Sequence, residues 1–433
     1  MQANVDFREL HFNRPDCFPF LLQSTSPGTA LGRFDILFAL PGSALVADTP
    51  LHAGDFLRHL DSAWESERID SVDSELPFHG GWFVYLGYEL AEEIEPALNL
   101  RADRVLPRAI AVRCPAALIF DHRNGQTTIV CEASRPDCME SVLALLSTAI
   151  AGRKATAPNH PLANDIGEDD PQHFVDAVIR AKRYIADGDV FQANLSREWS
   201  LTSSVAARDI YNRLASSNPA PFAGSACWQD AWIISSSPER LLSLRDGIAM
   251  TRPIAGTRPR AANIGEDRQL SEELIAHPKE RAEHVMLIDL ERNDLGRICE
   301  AGTVEVDEMM VLESYAHVHH IVSNVRGRLR PDVTPGEAIR AVFPGGTITG
   351  CPKVRCMQII AELENAARGA YTGSFGYLNR DGSMDLNILI RTLVKQGETL
   401  RFRAGAGIVA DSDPQAELAE TRAKARGLLE ALR

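Results

Sequence analysis

Two short acidic patterns in the chain have the spacing that a metal site built from two helices would require. Glu280 and Glu283 are three residues apart, and Glu417 and Glu420 repeat this spacing near the C-terminus. Residues three apart project from the same face of a helix. Hard cations such as Mg²⁺ prefer oxygen ligands. The four carboxylates could therefore hold such a cation if the two helices meet. Taken alone, such pairs are usually solvated carboxylates that complement the helix dipole in the first turn.

Both acidic pairs lie in segments with clear helix start signals. Pro278 suits the first turn of a helix that covers residues 277–297. Asp413 is a predicted N-cap for the last helix, and Pro414 opens it. Lys424 falls on the same face of that helix as its two glutamates. The two predicted helices therefore each present a pair of acidic side chains. The sequence alone does not show whether the two pairs lie close together.

A predicted strand carries polar side chains on one face. Gln192, Asn194 and Ser196 alternate with Phe191, Ala193 and Leu195. This alternation is normal for a half-exposed strand. The functional alternative is that the three polar side chains line a cleft and orient a neutral nucleophile.

Three histidines occur close together at positions 317, 319 and 320. On a strand, His320 shares a face with Val318 and Val322, which predicts a buried ring. Zinc binding by the three histidines is the weaker interpretation, because no fourth ligand lies at a suitable spacing.

The segment from Gly405 to Ala410 matches the dinucleotide-binding pattern G-x-G-x-x-A after a predicted strand. The helix that should follow is interrupted by Asp411, Ser412, Asp413 and Pro414, and no βαβ unit is apparent. A glycine-rich edge whose backbone approaches a small carboxylate is the preferred interpretation.

The charge balance excludes some partners. The chain of 433 residues has 45 Lys+Arg against 59 Asp+Glu, a formal net charge of −14. The mean field therefore repels nucleic acid and anionic membranes, so neither is an expected partner. An anionic substrate would need local cations or a metal ion.

The cysteines and the first residues predict a cytoplasmic protein. The eight cysteines include no C-x-x-C pair, so we expect reduced thiols rather than a disulfide framework or a metal site. The N-terminal residues are too charged for a secretory signal, and no apolar run is long enough to span a membrane.

The predicted organisation has an N-terminal region at 1–152, a linker at 153–171 and a catalytic region at 172–433. The linker is predicted where Pro, Asn, Asp and Gly replace the apolar periodicity. The predicted helices are Asp137–Ala151 and Gln172–Gly188. The predicted strands are Arg33–Ala39, Ala109–Phe120, Val190–Leu201, Ala231–Ser237, Val318–Val325, Tyr371–Leu378, Ile388–Lys395 and Leu400–Ala404. Strands that follow one another without helices favour an α+β fold with mostly antiparallel sheets.

Taken together, these segments resemble the chorismate-utilising enzymes from about residue 20 to the C-terminus. The resemblance is carried by long motifs in the family's order. They are GRFDI (32–36), LPFHGGW (76–82), GDVFQANLSR (188–197), SPERLL (237–242), TRPIAGTRPR (251–260), AEHVMLIDLERNDLGR (282–297), HHIVS (319–323), FPGGTITGCPKVR (343–355), MDLNILIRT (384–392) and AGAGIVADSDPQAELAETRAKA (404–425).

The resemblance implies a fold and a metal. The family fold has two large antiparallel sheets packed face to face and wrapped by helices. In enzymes with these motifs, the four glutamates meet around Mg²⁺. Glu283 and Glu420 are the expected direct ligands, and Glu280 and Glu417 support them. The metal would neutralise the ring carboxylate of chorismate, so a chain with a net charge of −14 could bind this anionic substrate.

The resemblance also implies roles for residues around the substrate. Glu239 is the expected acid for the departing C4 hydroxyl, and His320 handles a proton at the enolpyruvyl side. The remaining expected contacts are Arg391 and Tyr371 to the enolpyruvyl carboxylate, Lys424 and the Gly407 backbone to the ring carboxylate, Thr347 to substrate oxygens, and Gly256 and Thr257 to the substrate.

Two positions bear on which reaction is catalysed. Relatives that add water to chorismate carry a lysine base where this chain has Gln192, and glutamine suits ammonia as the nucleophile. Many aminodeoxychorismate synthases have a lysine where this chain has Ala255, whereas anthranilate synthases have alanine. The short N-terminal region, GRFDI, LPFHGGW and FQANLSR favour aminodeoxychorismate synthase, which acts in p-aminobenzoate and folate synthesis. Anthranilate synthase is the alternative.

The source of ammonia implies a partner. The chain lacks a glutaminase G-x-C-x-G motif, so the resemblance implies a separate glutaminase subunit. Gln23 replaces the glutamate that is usual in the tryptophan pocket of anthranilate synthases, which argues against feedback inhibition. Two interpretations from other classes are a nicotinamide-dependent oxidoreductase, suggested only by residues 405–410, and a non-catalytic homologue that binds without turnover.

Overall fold

The computed structural model describes residues 5–25, 32–48, 55–149, 164–261, 263–315 and 318–432. Their strands are β1 (Phe20–Gln23), β2 (Phe34–Ala39), β3 (Ala44–Ala47), β4 (Gly81–Leu86), β5 (Ala109–Cys114), β6 (Ala116–Asp121), β7 (Gln126–Cys131), β8 (Asn164–Glu168), β9 (Gln192–Thr202), β10 (Phe222–Trp228), β11 (Ala231–Ser237), β12 (Arg240–Arg245), β13 (Ile248–Arg252), β14 (Ile254–Pro259), β15 (Glu305–Ser314), β16 (Val318–Arg328), β17 (Gly350–Cys351), β18 (Ser374–Asn379), β19 (Met384–Asn387), β20 (Thr392–Gln396) and β21 (Thr399–Ile408).

These strands form two large sheets. The first sheet has eleven strands in the order β17-β9-β21-β20-β11-β10-β1-β2-β6-β7, and β8 pairs with β9. The second sheet has ten strands in the order β14-β16-β13-β12-β19-β18-β4-β5-β3, and β15 pairs with β16. Neighbouring strands are antiparallel throughout the described pairings.

The inner faces of the two sheets pack against each other. Phe20 of the first sheet stacks on Phe83 of the second, with ring centroids 3.8 Å apart. Around this pair, apolar side chains from both sheets form one buried cluster. Its members include Ile36, Phe38 and Ile233 of the first sheet and Tyr85, Ile110, Val112 and Phe375 of the second. Removal of this apolar surface from water is the main force that holds the sheets together.

Helices cover the outer faces of both sheets. They are α1 (Phe7–Asn13), α2 (Asp55–Glu67), α3 (Ala91–Ile94), α4 (Asp137–Ala149), α5 (Pro171–Ala186), α6 (Ala207–Ser217), α7 (Ile264–Ala276), α8 (Pro278–Gly296), α9 (Pro335–Val342), α10 (Lys353–Leu363) and α11 (Pro414–Leu432). Apolar residues of α2, α8 and α9 pack on the second sheet, and those of α1, α4, α6 and α11 pack on the first. The predicted fold, two face-to-face antiparallel sheets flanked by helices, is confirmed.

The helices that bear the acidic pairs begin as the sequence predicts. Pro278 is the first residue of α8. The side chain of Asp413 accepts hydrogen bonds from the backbone N–H groups of Gln415 and Ala416, so Asp413 caps α11.

Several predicted strands have different limits for local reasons. The predicted strand Ala109–Phe120 is two strands, β5 and β6, which belong to different sheets. Pro115 lies between them, and proline cannot donate a hydrogen bond to a sheet. Thr372 and Arg391 have φ angles of 62° and 51°. These left-handed conformations delay the starts of β18 and β20 relative to the prediction.

The glycine-rich segment at 405–410 is not a nucleotide-binding turn. Gly405 and Gly407 lie inside β21 and pair with Ser196 and Asn194 of β9. The segment is therefore the end of an inner strand of the first sheet, which argues against the dinucleotide fingerprint, and its approach to a small carboxylate stays a prediction.

The predicted N-terminal and catalytic regions contribute strands to the same sheets. For example, β1 pairs with β10, and β4 pairs with β18. Residues 150–163 of the predicted linker lie outside the described residues, whereas Asn164–Glu168 forms β8. In the described part of the chain, every helix is too short or too polar to traverse a lipid bilayer.

Candidate active site

Glu239 lies in the turn between β11 and β12, and its side chain is buried. The Thr347 hydroxyl donates a hydrogen bond of 2.7 Å to Glu239 Oε1. Thr347 belongs to a short 3₁₀ turn, Gly346–Ile348. Burial raises the pKa of Glu239 to about 7, although the Thr347 hydroxyl, the backbone of Ile254 and the Arg391 charge oppose this rise. A carboxyl with such a pKa can donate a proton near neutral pH.

Arg391 extends toward Glu239 from a left-handed backbone position. Its guanidinium donates to Asn218 Oδ1 at 3.4 Å, and among the described residues it forms no ion pair. Removal from water lowers the pKa of Arg391, and the nearby Glu239 charge partly offsets this. A partly buried cation without a counter-ion is a natural site for an anionic group.

His320 faces the same area from β16. Its Nδ1 lies 3.2 Å from the Gly256 carbonyl oxygen and 3.0 Å from Thr257 Oγ1. Because a carbonyl can only accept, we assign the ring proton to Nδ1, which leaves Nε2 as an acceptor. Burial lowers the pKa of His320 to about 4, with a further contribution from the Arg391 charge. The ring is therefore neutral at pH 7, and its buried Nε2 has no hydrogen-bond partner among the described residues.

A β-bulge in β14 brings Gly256 and Thr257 to His320. The register with β16 shifts between Ala255 and Thr257, and Gly256 has a φ of 63°. Ala255 is buried and pairs with Ile321. A methyl group at Gly256 would lie 3.0 Å from Glu280 Oε2, so the bulge also borders the first acidic pair.

Gln192 lies at the start of β9 and is buried. Its Nε2 donates to Glu283 Oε1 at 3.3 Å. A side chain at Gly407 would collide with the Gln192 amide, so the glycine makes room for it. Gln192 Oε1 is buried and has no hydrogen-bond partner in the part of the chain that the structure describes. An acceptor is thus left free beside Glu283.

The four glutamates are distributed over α8 and α11. Lys279 and Lys424 each act electrostatically on both Glu283 and Glu417, so the two helices bring their acidic ends into one neighbourhood. Glu417 is buried, whereas the Glu420 side chain is about half exposed, at 49%.

In each acidic pair, the pKa of one carboxyl group is raised. Burial raises the pKa of Glu283, and the Glu280 charge adds to it. Burial likewise raises the pKa of Glu417, and the Glu420 charge adds to it, while a hydrogen bond from Ser412 opposes. A bound cation would relieve this repulsion.

The donor chemistry of these carboxylates fits a hard divalent cation. Within the described ranges, no group of three or more His, Cys, Asp or Glu side chains is close enough to hold a metal ion together. Glu280 lies 3.4 Å from Arg258, and Glu420 lies 2.8 Å from Lys424. The carboxylates therefore lie in two pairs, each partly neutralised by a basic side chain.

Tyr371 and Lys424 approach β21 at Gly405. Lys424 Nζ donates to the Gly405 carbonyl at 3.1 Å. A methyl group at Gly405 would lie 2.7 Å from the Tyr371 hydroxyl oxygen and 2.8 Å from Asn194 Oδ1. Burial raises the pKa of Tyr371 to about 12, so its hydroxyl remains a hydrogen-bond donor at neutral pH.

The structure thus brings the predicted site residues into one region with two ends. We define the acid end as Glu239, Thr347, Arg391 and His320. We define the carboxylate end as Glu280, Glu283, Glu417 and Glu420. The Gly256 bulge lies between the two ends, since it contacts His320 and borders Glu280, and the Gln192–Glu283 hydrogen bond joins the carboxylate end to β9.

A buried ion network supports this region and was missed by the sequence analysis. The Arg368 guanidinium pairs with Glu364 at 2.6 Å and donates to the backbone carbonyls of Asn194 and Ile348. Arg403 also pairs with Glu364, at 3.2 Å. Ser196, predicted as a possible cleft residue, bonds to Glu364 and Arg403 and is part of this network. In the sequence, the only signal for the burial of these charged residues is that apolar residues flank them.

The other histidines of the predicted zinc alternative have structural partners. His319 Nδ1 lies 2.7 Å from Ser314 Oγ, and Nε2 lies 3.0 Å from Asp267 Oδ1. His317 lies outside the described residues. Both rings of the described pair, His319 and His320, are buried, as the core interpretation predicted for His320.

A surface groove of about 780 Å³ lies beside the site. Ala282 and Phe191, which neighbour Glu283 and Gln192 in sequence, line it, but the residues of the two ends do not. Phe191 is 70% exposed there. The groove is therefore adjacent to the site and separate from it.

Comparisons with known proteins agree with this architecture. The family model described as chorismate binding enzyme matches residues 20–430. An anthranilate synthase component I-like protein of Synechocystis sp. is 41% identical over 425 residues, which are 95% of this chain and 86% of that protein. The aminodeoxychorismate synthase component 1 of Bacillus subtilis is 40% identical over 391 residues, covering 88% and 82% of the two chains.

A solved structure is similar over nearly the full length. The crystal structure of anthranilate synthase component I from Streptococcus pneumoniae matches with a TM-score of 0.83 and 33% identity. The match covers 93% of each chain.

Proposed function

The chain belongs to the chorismate-binding enzyme family, and from this premise we propose that it is component I of an aminodeoxychorismate synthase. It would replace the C4 hydroxyl of chorismate by ammonia to give 4-amino-4-deoxychorismate, a precursor of p-aminobenzoate and folate. The single observation that supports amination is that position 192 holds a glutamine with a fixed amide and not a base. Its amide is fixed between Glu283 and Gly407 and contains no group that could remove a proton from water. Ammonia is already a nucleophile and needs no such base.

The acid end would bind and activate the enolpyruvyl side of the substrate. Arg391, which has no ion-pair partner among the described residues, would bind the enolpyruvyl carboxylate, and Tyr371 would donate to it. Glu239 would protonate the hydroxyl that leaves C4, so that water departs. Neutral His320, through Nε2, would accept a hydrogen bond or a proton at the same side.

The carboxylate end would bind the ring carboxylate through a metal. Glu283 and Glu420 would hold Mg²⁺ directly, with Glu280 and Glu417 in support, and Mg²⁺ when bound supplies the positive charge that neutralises the ring carboxylate. Lys424 and the Gly407 backbone would contact the same carboxylate. Lys424 already lies between Glu420 and the Gly405 carbonyl.

Anthranilate synthase component I is the second candidate, and Ala255 is the observation that favours it. Ala255 is buried and offers no amine that could attack C2. Under the first proposal, water or ammonia would have to add at C2 before nitrogen is directed to C4.

The state of Gln23 supports the first candidate. Its Nε2 donates to Asp35 at 2.8 Å, and its Oε1 accepts from Arg8 at 2.7 Å and from Tyr211 at 3.1 Å. Because both ends of this amide are occupied within the chain, it offers little to an amino-acid inhibitor, and feedback inhibition by tryptophan is not expected.

Ammonia would come from a separate glutaminase subunit. The name of the B. subtilis relative, component 1, refers to a multi-subunit enzyme, and we extend this organisation to the present chain. Without its partner, the chain should use free ammonia, and turnover should rise with the concentration of NH₃.

The decisive experiment is product analysis with chorismate, Mg²⁺ and ammonium, before and after addition of aminodeoxychorismate lyase. The proposal predicts that p-aminobenzoate forms only after the lyase is added. Fluorescent anthranilate formed without lyase would establish the second candidate instead. No consumption of chorismate would contradict both candidates. Glu283→Ala, which removes an expected metal ligand, serves as the inactive control.

A further inference from the structure

Two buried acidic side chains and a partly buried lysine lie near Glu239, outside the acid end and the carboxylate end. Glu291 and Asp294 are on α8, three residues apart, so both project from one face of the helix. Both are buried. Lys353, the first residue of α10, pairs with Asp294 at 2.5 Å and donates to the Val342 carbonyl at 3.0 Å. The proposed mechanism above uses none of these groups.

The 3₁₀ turn Gly346–Ile348, which contacts Glu239, also lies against Glu291. Thr347 of this turn donates its hydroxyl to Glu239. The preceding residue, Gly346, packs directly on α8, and a methyl group there would lie 3.4 Å from Glu291 Oε1. Glu239 and Glu291 therefore flank the same three-residue turn, and Glu239 acts electrostatically on Glu291.

The other side of this acidic set opens to solvent. Asp294 and Lys353 both line the 780 Å³ groove beside the site. Glu291 is not among the residues that line it. Asp294 thus lines the groove, Glu291 is buried away from it, and the charges of Asp294 and Glu239 both act on Glu291.

The surroundings of Glu291 favour its protonated form. Burial raises the pKa of Glu291, the Asp294 charge raises it further, and Glu239 adds a smaller contribution. Lys353 on α10 and the Thr251 hydroxyl on β13 oppose this rise. Burial also raises the pKa of Asp294, against the effect of Lys353 and Arg297.

We propose that Glu291 returns a proton to Glu239 in each turnover, along a path that begins at the Asp294–Lys353 pair in the groove. This inference rests on the proposed function, because it requires Glu239 to act as the acid. The C4–O bond breaks with its electron pair on oxygen, and the Glu239 proton completes a water molecule. The Glu239 carboxylate takes a proton from a bridging water, which receives the proton of Glu291 in its place, and the Glu291 carboxylate is reprotonated from solvent past Asp294. Glu291 acts through Glu239 and does not itself touch the substrate.

The simpler explanation is that Glu291 is a neutral acid that fills space under the turn. Glu291→Gln separates the two explanations, since glutamine copies the shape and hydrogen bonding of a protonated glutamate but cannot relay a proton. Asp289→Asn is the matched control. Asp289 is on the same helix and lines the same groove, but it is exposed and pairs with Arg292.

The test compares wild type, Glu291→Gln and Asp289→Asn in the ammonia-dependent reaction over a range of pH. For Glu291→Gln we expect kcat to fall about tenfold or more, within the range of a lost proton transfer, while KM for chorismate and the melting temperature stay close to wild type. The defect should grow with pH, because hydronium in solvent can reprotonate Glu239 only at low pH. Asp289→Asn should match wild type.

Two results would overturn the proposal. One is a Glu291→Gln enzyme with wild-type kcat at every pH. The other concerns a second variant, so the test remains decisive even if Glu291→Gln does not fold. The path passes Asp294, so an Asp294→Asn enzyme with wild-type kcat at every pH would exclude it. If wild type consumes no chorismate at all, the proposed function fails, and this outcome is distinct from both.

Discussion

The acid end and the carboxylate end of the site are built in opposite ways. The acid end is fixed by strands and turns: Glu239 is buried and has a hydrogen bond of 2.7 Å from Thr347. The carboxylate end is carried by two helices. Its contact to the sheet, from Gln192 to Glu283, is longer at 3.3 Å, and its Glu420 side chain is half exposed. We infer that the acid end is preorganised, whereas the carboxylate end is completed by its ligands.

The largest expected effect is at the preorganised end. Glu239→Gln keeps an oxygen that can accept from Thr347 but removes the acid, so kcat should fall by about 10²- to 10⁴-fold. The Mg²⁺ concentration for half-maximal activity should not change. Steady-state assays at several Mg²⁺ concentrations measure both quantities. A variant that retained most of its activity would show that the leaving hydroxyl is protonated by another group.

The next effect concerns the metal. Chelation by EDTA should abolish turnover, and added Mg²⁺ should restore it. Glu283→Gln should raise the Mg²⁺ requirement by about tenfold to a hundredfold, as expected for loss of a charged ligand. Glu420→Gln should have a smaller effect, because Glu420 is half exposed and already paired with Lys424. Equal effects of the two substitutions would contradict the contrast between a partly buried Glu283 and a half-exposed, paired Glu420.

A pH profile tests the acid end without mutation. The pKa of Glu239 is raised to about 7 by burial, and the reaction requires the protonated form. Activity should therefore be constant below this pKa and fall by up to about tenfold per pH unit above it. Free NH₃ must be held constant, since its fraction rises with pH and would mask the decline. The decline should be absent in the residual activity of Glu239→Gln, and its persistence would assign the pKa to another group.

The smallest effect should come from the exposed side of the carboxylate end. Lys424 is about half exposed, at 52%, so its charge is screened by water. Lys424→Met should raise KM for chorismate by about twofold to tenfold and leave kcat nearly unchanged. The dependence of KM on salt should weaken in the variant. A large loss of kcat would instead place Lys424 with the preorganised groups.

The sequence predicted the fold well where periodicity is informative. β11 has the predicted limits, and α11 begins at the predicted Pro414. α5 begins at Pro171, one residue before its predicted start. The predicted strands failed where one residue has a special conformation. Pro115 divides β5 from β6, and the left-handed Arg391 delays β20. Such positions have no periodic pattern, and for a residue such as arginine a positive φ is not expected from its type.

For the site, individual residue types were weak evidence, and the long motifs supplied the assignments. The spacing of the glutamates did not predict that Lys279 and Lys424 would act on both acidic pairs, because that depends on how α8 and α11 pack on the sheets. Glu291 was not singled out. Its segment, LIDLERND, gave no indication that this acid is buried while Asp289 is exposed.

The interleaved strand order has a consequence for how the protein folds. β1 can pair early with β2, but these N-terminal strands join the rest of the first sheet only through β10, and β11, which follows β10, in turn pairs with β20. Pairings between strands so far apart in sequence carry a large entropy cost of loop closure, and they slow folding. Before they form, apolar strands stay exposed, which favours aggregation. We therefore expect slow refolding with populated intermediates, and enzymatic activity that returns only in its last phase, because the Gln192–Glu283 contact needs β9 in place.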